Sequence, residues 1–197
     1  MSDPSWEELP GRLFVVSGPS GAGKSTVARR VVERGDVRAR LSVSATTRAP
    51  RGGEVAGVDY EFLSRDAFEG LRDRGEFLEW AEVHGHLYGT PLGPIRRALA
   101  EGDCVILVID VQGGQLVRRR VSNAVLVFLH APSLEVLEAR LRARGTDDEA
   151  TIRRRLENAR REIELAERHY PIHLVNDDID RAVRDLASLM ARSGCGG

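Results

Sequence analysis

The chain has 197 residues, 42% of them hydrophobic and 30% charged, enough for one well-buried core of ordinary globular composition. Its 29 basic and 30 acidic residues leave a net charge of −1, so no general attraction to nucleic acid or an anionic membrane is expected and any positive potential must be local. No stretch approaches the roughly 18 apolar residues of a membrane span, and residues 1–11 carry no basic and apolar leader pattern.

From the amino end, Leu13-Phe14-Val15-Val16 suits a buried strand over 12–16. Val27, Ala28, Val31 and Val32 recur at helical spacing, predicting a helix over 24–33 that Gly35 closes. Between them stands Gly18-Pro19-Ser20-Gly21-Ala22-Gly23-Lys24-Ser25-Thr26. Strand, Gly-rich loop and helix form the setting in which G-x-x-x-x-G-K-[ST] is a phosphate-binding loop. Gly18, Gly21 and Gly23 let successive N–H groups turn toward an anion, and the helix N-terminus adds its partial positive charge. Lys24 would reach the β- and γ-phosphates of a nucleoside triphosphate, and the Ser25 hydroxyl would sit on Mg²⁺. Lys24 is also the one lysine of the chain; the other 28 basic residues are arginines. A compact ammonium fits a phosphate cradle in a way a broad guanidinium does not.

Residues 41–47 alternate apolar and small polar side chains, as one half-exposed strand would. Gly52-Gly53 and Gly57 mark turns, 60–63 reads as a strand, and Ser64 caps a helix to residue 74 that Gly75 ends. With strands over 77–83 and 86–88, residues 42–89 form a small mixed, mostly β insertion. Thr90 is the expected cap of a helix over 91–100 with Pro91 in its first position. Residues 105–109 are a strand without polar alternation, as a parallel sheet requires. Helices over 113–120, 133–144, 148–169 and 179–190 alternate with strands over 125–129 and 172–175.

The pattern is that of an α/β fold, a parallel sheet flanked by helices, with its ligand site at the carboxyl ends of the strands. The core takes residues 11–41 and 90–192, and the termini, 1–10 and 193–197, are expected to be flexible. Cys104 opens an apolar run and Cys195 lies in a Gly-rich tail; they read as free thiols, as in a reducing cytoplasm.

Taken together, these stretches resemble the guanylate kinases. The resemblance rests on Ser17-Gly18-Pro19-Ser20-Gly21 running into the lysine of the loop, and on Ser44-Ala45-Thr46-Thr47-Arg48-Ala49-Pro50-Arg51. It continues through Gly53-Glu54-Val55 with Gly57, Asp59-Tyr60, Phe77-Leu78-Glu79-Trp80 and Tyr88-Gly89-Thr90. Ile109-Asp110-Val111-Gln112-Gly113, Arg142-Ala143-Arg144-Gly145-Thr146 and Val175-Asn176-Asp177-Asp178 complete it.

What the resemblance implies is an ATP:GMP phosphotransferase that uses Mg²⁺, with GMP and dGMP as acceptors and no nucleic-acid or membrane partner. Residues 18–26 and Asn176 would bind ATP. Arg48, Arg51, Tyr60 and Tyr88 would hold the acceptor phosphate, while Glu79, Ser44, Thr90 and Asp110 would meet the base. Asp110 is assigned to the acceptor, with a role toward Mg²⁺ through water left open. Lys24, Arg48, Arg140, Arg144 and Arg155 would offset the charge that moves, the last three from a helical lid over 140–157. Position 108 departs from the family, which commonly has an acid where this chain has Val108. Two other readings remain: a related kinase with another acceptor, and a non-catalytic binding module of the same fold.

Overall fold

A computed structural model of the chain describes residues 5–83, 85–145 and 147–196. Five parallel strands make the central sheet: β1 (Leu13–Ser17), β2 (Ala39–Leu41), β7 (Cys104–Val108), β8 (Val125–His130) and β9 (Ile172–Val175), in the order β2-β7-β1-β8-β9. The apolar runs follow from burial on both faces. Leu13 and Val15 point into one core with Val105, Leu107, Ile95, Leu99 and Phe128. Phe14 and Val16 point into the other with Ile106, Val127, Val27, Val31, Leu186 and Met190. Alternate residues of one strand thus serve opposite cores, which is why no polar alternation is visible in the sequence.

Helices cover both faces: α1 (Lys24–Arg34), α3 (Leu92–Ala100), α4 (Val111–Arg120), α5 (Leu134–Ala143), α6 (Glu149–His169) and α7 (Ile179–Met190). Ser133, Asp148 and Asp178 each accept from an N–H of the first turn of α5, α6 and α7, the hydrogen bond an N-cap supplies. Because the strands are parallel, the chain leaves β1, β7, β8 and β9 on one side of the sheet, bringing Gly18, Asp110, His130 and Asn176 to one edge.

A second, four-stranded sheet holds β3 (Ser44–Thr46), β4 (Tyr60–Phe62), β5 (Phe77–Val83) and β6 (His86–Pro91) in the order β4-β3-β6-β5. It is mixed, with β3 and β4 parallel and the other pairs antiparallel. Helix α2 (Arg65–Asp73), capped by Ser64, seats Phe68 on Phe77 with ring centroids 4.4 Å apart, and Ala45 and Leu87 close this small core.

Four expectations need correction. The alternation over 41–47 is not one strand: Ala39–Leu41 ends the parallel sheet against β7, and the chain crosses to the second sheet before Ser44. Alternation reports a half-buried strand without saying which sheet buries it. Thr90 does not cap α3; it lies in β6, Pro91 pairs with Phe77, and the helix begins at Leu92.

The termini are not loose where described. Trp6–Glu8 form a 3₁₀ turn, Leu9 is buried, Cys195 is buried, and Gly196 bridges to Val37. Residues 1–4 and 197 lie outside the described residues. The cysteines are not free: Cys104 and Cys195, 91 positions apart in the chain, form a disulfide. Helix α7 packs beside α1 in the second core, and the tail after it returns to Cys104 at the start of β7, a proximity that sequence spacing does not report. The inference of a reducing compartment from free thiols therefore loses its premise.

Candidate active site

The loop after β1 is tight enough to require glycine at two points. Gly18 (φ 148°) faces the backbone carbonyl of Leu129, and Gly23 (φ 92°) faces the Asn176 side-chain amide; a Cβ at either would collide. Gly23 is also the N-cap of α1. Lys24 folds back over the loop, its Nζ donating to the carbonyls of Gly18 (2.5 Å) and Pro19 (3.0 Å). Burial of this ammonium pulls its pKa down to about 8, against the attraction of Glu162 and Asp110. Ser25 and Thr26, in the first turn of α1, are exposed.

Asn176 is buried and donates its side-chain amide to the carbonyl of Ala22 (2.8 Å). Its amide nitrogen is thus held by the loop from behind. Arg140 donates to the Asn176 carbonyl (2.8 Å), and Arg155 donates to the Ser20 hydroxyl (3.0 Å) while pairing with Asp147 (3.0 Å). Arg144, at the end of α5, is close enough to depress Lys24 further. These three arginines therefore gather at the loop. Their neighbour Arg142 instead pairs with Glu138 and Glu149 in solvent, and Thr146 lies outside the described residues.

In the second sheet, Arg48 is buried over the Tyr60 ring (5.0 Å), and Tyr88 stands edge-on to Tyr60 (6.2 Å). Glu54 grips Arg48 with both oxygens (2.6 Å each) and accepts from the Arg51 backbone N–H (2.7 Å). The Arg48 hydrogen bonds hold the Glu54 carboxyl down to about 2 and push the guanidinium up. Burial raises the Tyr60 hydroxyl, against the pull of Arg48. The Arg51 side chain is exposed, and Ser44 pairs with Tyr60 in the β3–β4 ladder.

Glu79 lies opposite Thr90 in the β5–β6 ladder and accepts from its buried hydroxyl (2.5 Å). A Cβ on Gly113 would lie 3.4 Å from Glu79 Oε2 and 3.6 Å from Asp110 Oδ1, so both carboxylates face the start of α4. Asp110 caps that helix, Oδ1 accepting from Gly113 N–H (2.8 Å). Desolvation raises the Glu79 pKa; the Thr90 hydrogen bond opposes this and the Asp110 charge adds to it. Val108 ends β7 among the apolar residues of the second core. Arg29 of α1 reaches Asp59 (3.1 Å), an exposed link between the loop helix and the second sheet.

Three side chains were given no role in the sequence. Glu54 stood unassigned beside Gly53, though its spacing to Arg48 and Arg51 allows it to bind both. Tyr170 follows α6 and donates its hydroxyl to Ser17 (2.8 Å) at the end of β1. Glu162 has Oε2 buried with no hydrogen-bond partner, and burial lifts its pKa to about 7 against Lys24. It lies seven residues beyond Arg155, two turns along the same face of α6, a spacing the sequence did carry.

The guanylate kinase family model matches residues 10–193. The guanylate kinase of Myxococcus xanthus is 48% identical over 94% of this chain and 88% of its own length. That of Rubrobacter xylanophilus is 49% identical over 95% of this chain and 97% of its own. A crystal structure of guanylate kinase from Anaplasma phagocytophilum superimposes with a TM-score of 0.77 at 34% identity, covering 93% of this chain and 86% of that one. With the phosphate loop, the mixed second sheet and these likenesses in agreement, the chain belongs to the guanylate kinase family.

Proposed function

We propose that this chain transfers the γ-phosphoryl group of ATP to GMP, and to dGMP in the same site, giving ADP and the guanosine diphosphate. The observation that carries the acceptor is the enclosed Glu79, held by Thr90 and facing Asp110 across Gly113. Carboxylate oxygens accept from guanine's N1–H and exocyclic amine, whereas adenine turns a lone pair at N1 toward the same charge. In the free site burial favours the protonated form of Glu79; two N–H donors from guanine favour the carboxylate. Ser44, Thr90 and Asp110 complete the base pocket.

Arg48, Arg51, Tyr60 and Tyr88 hold the acceptor phosphate, with Glu54 setting the Arg48 fork. That phosphate has its second pKa near 6 and is mostly dianionic at neutral pH, so it attacks the γ-phosphorus in line without a general base. The loop residues Gly18, Pro19, Ser20, Gly21, Ala22, Gly23, Lys24, Ser25 and Thr26 cradle ATP, with Asn176 supporting the loop. Lys24 exchanges the carbonyls of Gly18 and Pro19 for phosphate oxygens. Arg140, Arg144 and Arg155 close over the triphosphate as a lid over 140–157, excluding water and offsetting the moving charge.

The Ser25 hydroxyl would hold Mg²⁺ delivered with ATP, and the Asp110 carboxylate would act on it through water. Bound there, the ion would offset charge on the phosphate oxygens. The division of labour we infer gives ATP to residues 11–41 and 90–192 and GMP to 42–89. A cytoplasmic place of action is inferred from the nucleotide substrates.

The test is ADP formation from Mg·ATP with GMP, dGMP, AMP, CMP, UMP and dTMP supplied separately. Turnover confined to GMP and dGMP is expected, and Glu79→Gln should erode the preference for GMP over AMP. Turnover with another acceptor would discard the reading of Glu79; none with any acceptor would favour a binding module.

A further inference from the structure

Strand β5 is irregular beside the base pocket. Phe77 pairs with Pro91, yet Glu79 pairs with Thr90, so Leu78 is the extra residue of a β-bulge. In a regular strand successive carbonyls point to opposite edges. Here the carbonyls of Phe77 and Leu78 both accept from one nitrogen, Nη1 of Arg120, at 2.8 and 2.7 Å. The bulge sends three neighbours three ways: Phe77 into the small core with Phe68, Leu78 into the main core, and Glu79 to Thr90. A slip of one residue would exchange the faces of every later side chain in β5 and turn Glu79 away.

The helix that carries Arg120 also forms the floor of the pocket. Asp110 caps α4, Gly113 meets Glu79 in its first turn, and Arg120 is its last residue, seven beyond Gly113 and on the same face. Helix α4 therefore holds β5 at two levels, by close approach at Gly113 and by charge-assisted hydrogen bonds at the bulge.

We propose that Arg120 is a positioning residue for base selection: it locks the β5 bulge to α4 and thereby sets Glu79 toward the guanine edge. The inference rests on the proposed role of Glu79. Arg120 itself touches no substrate.

The experiment is steady-state kinetics of the full chain with GMP and with AMP as acceptor, for wild type, Arg120→Ala, Arg120→Lys, Glu79→Gln and the Arg120→Ala/Glu79→Gln pair. Arg120→Ala is expected to raise KM for GMP and reduce the GMP-over-AMP preference by about tenfold, with KM for ATP unchanged. Arg120→Lys, still a cation within reach of the carbonyls, should recover part of the preference. In the Glu79→Gln background, Arg120→Ala should cost little more, because the two act through one group.

A lower melting temperature with unchanged GMP KM and preference overturns the inference and leaves Arg120 as a prop. So does an equal rise of KM for both substrates. If Glu79→Gln leaves the preference intact, the base-site reading falls and this inference with it. If Glu79→Gln abolishes the preference while Arg120→Ala does not, only this inference falls. Should the alanine variant not fold, Arg120→Gln carries the same comparison.

Discussion

Replacing Glu162 with glutamine removes a charge that the nucleotide-free fold holds unfavourably. Its Oε2 is buried without a hydrogen-bond partner, and burial lifts its pKa from 4.5 to about 7, with Lys24 opposing and Asp110 reinforcing the rise. The folded state keeps this proton up to about pH 7, while the unfolded chain releases it near its ordinary value. Between those two values the folded state binds more protons, so stability falls as pH rises. At about 1.4 kcal/mol per pH unit, and allowing for partial solvent access, ionising Glu162 costs about 2 to 3 kcal/mol above pH 7.

Glutamine mimics the protonated form. Urea unfolding of wild type and Glu162→Gln without nucleotide, from pH 4 to pH 8, should give nearly equal stabilities at pH 4. At pH 8 the variant should be about 2 kcal/mol more stable. Parallel pH profiles, or a variant less stable at pH 8, would refute the claim that this carboxyl is desolvated beside the loop.

Other outcomes follow from the same contacts. Lys24→Met should cut phosphoryl transfer by about a thousandfold while calorimetry still detects GMP binding, because the lysine acts on the donor; retained turnover would contradict the loop assignment. The same variant should stabilise the nucleotide-free fold at pH 7, since burial pulls the Lys24 ammonium down to about 8, and an unchanged urea midpoint would count against that burial. Glu54→Gln weakens the grip on Arg48 and should raise KM for GMP about tenfold with KM for ATP unaltered; equal effects on both would remove Glu54 from the acceptor side. Reduction of the Cys104–Cys195 bridge, or Cys195→Ser, should lower unfolding stability by about 2 to 4 kcal/mol, and coincident urea curves with and without reductant would refute a structural bridge.

The phosphate loop was legible because its determinants are local. Glycines that permit positive φ, a lysine and a helix start all lie within residues 18–26, and the flanking apolar runs announce a strand and a helix. Motif position pointed to Arg140, Arg144 and Arg155; the structure places all three near the loop and Arg142 at the surface, and their proposed role awaits the kinetics. Alternation over 41–47 revealed a half-buried strand and failed at the point where the chain changed sheets, because periodicity carries no information about partners. Thr90 illustrates a similar ambiguity: a threonine before a proline fits a helix cap and a strand end equally, and the hydroxyl went to Glu79.

By itself the sequence determined the alternation of strands and helices, the glycine-rich loop with its lysine between β1 and α1, and the residue types proposed for the acceptor. Those properties depend on neighbours along the chain. Only the tertiary structure decided that Glu54 grips Arg48, that Glu162 is buried within the field of Lys24, that Arg120 pins the bulge beneath Glu79, and that Cys195 returns to Cys104. Each of these joins groups through packing or hydrogen-bond geometry, whose energy depends on a few ångströms of separation in space rather than on spacing along the chain.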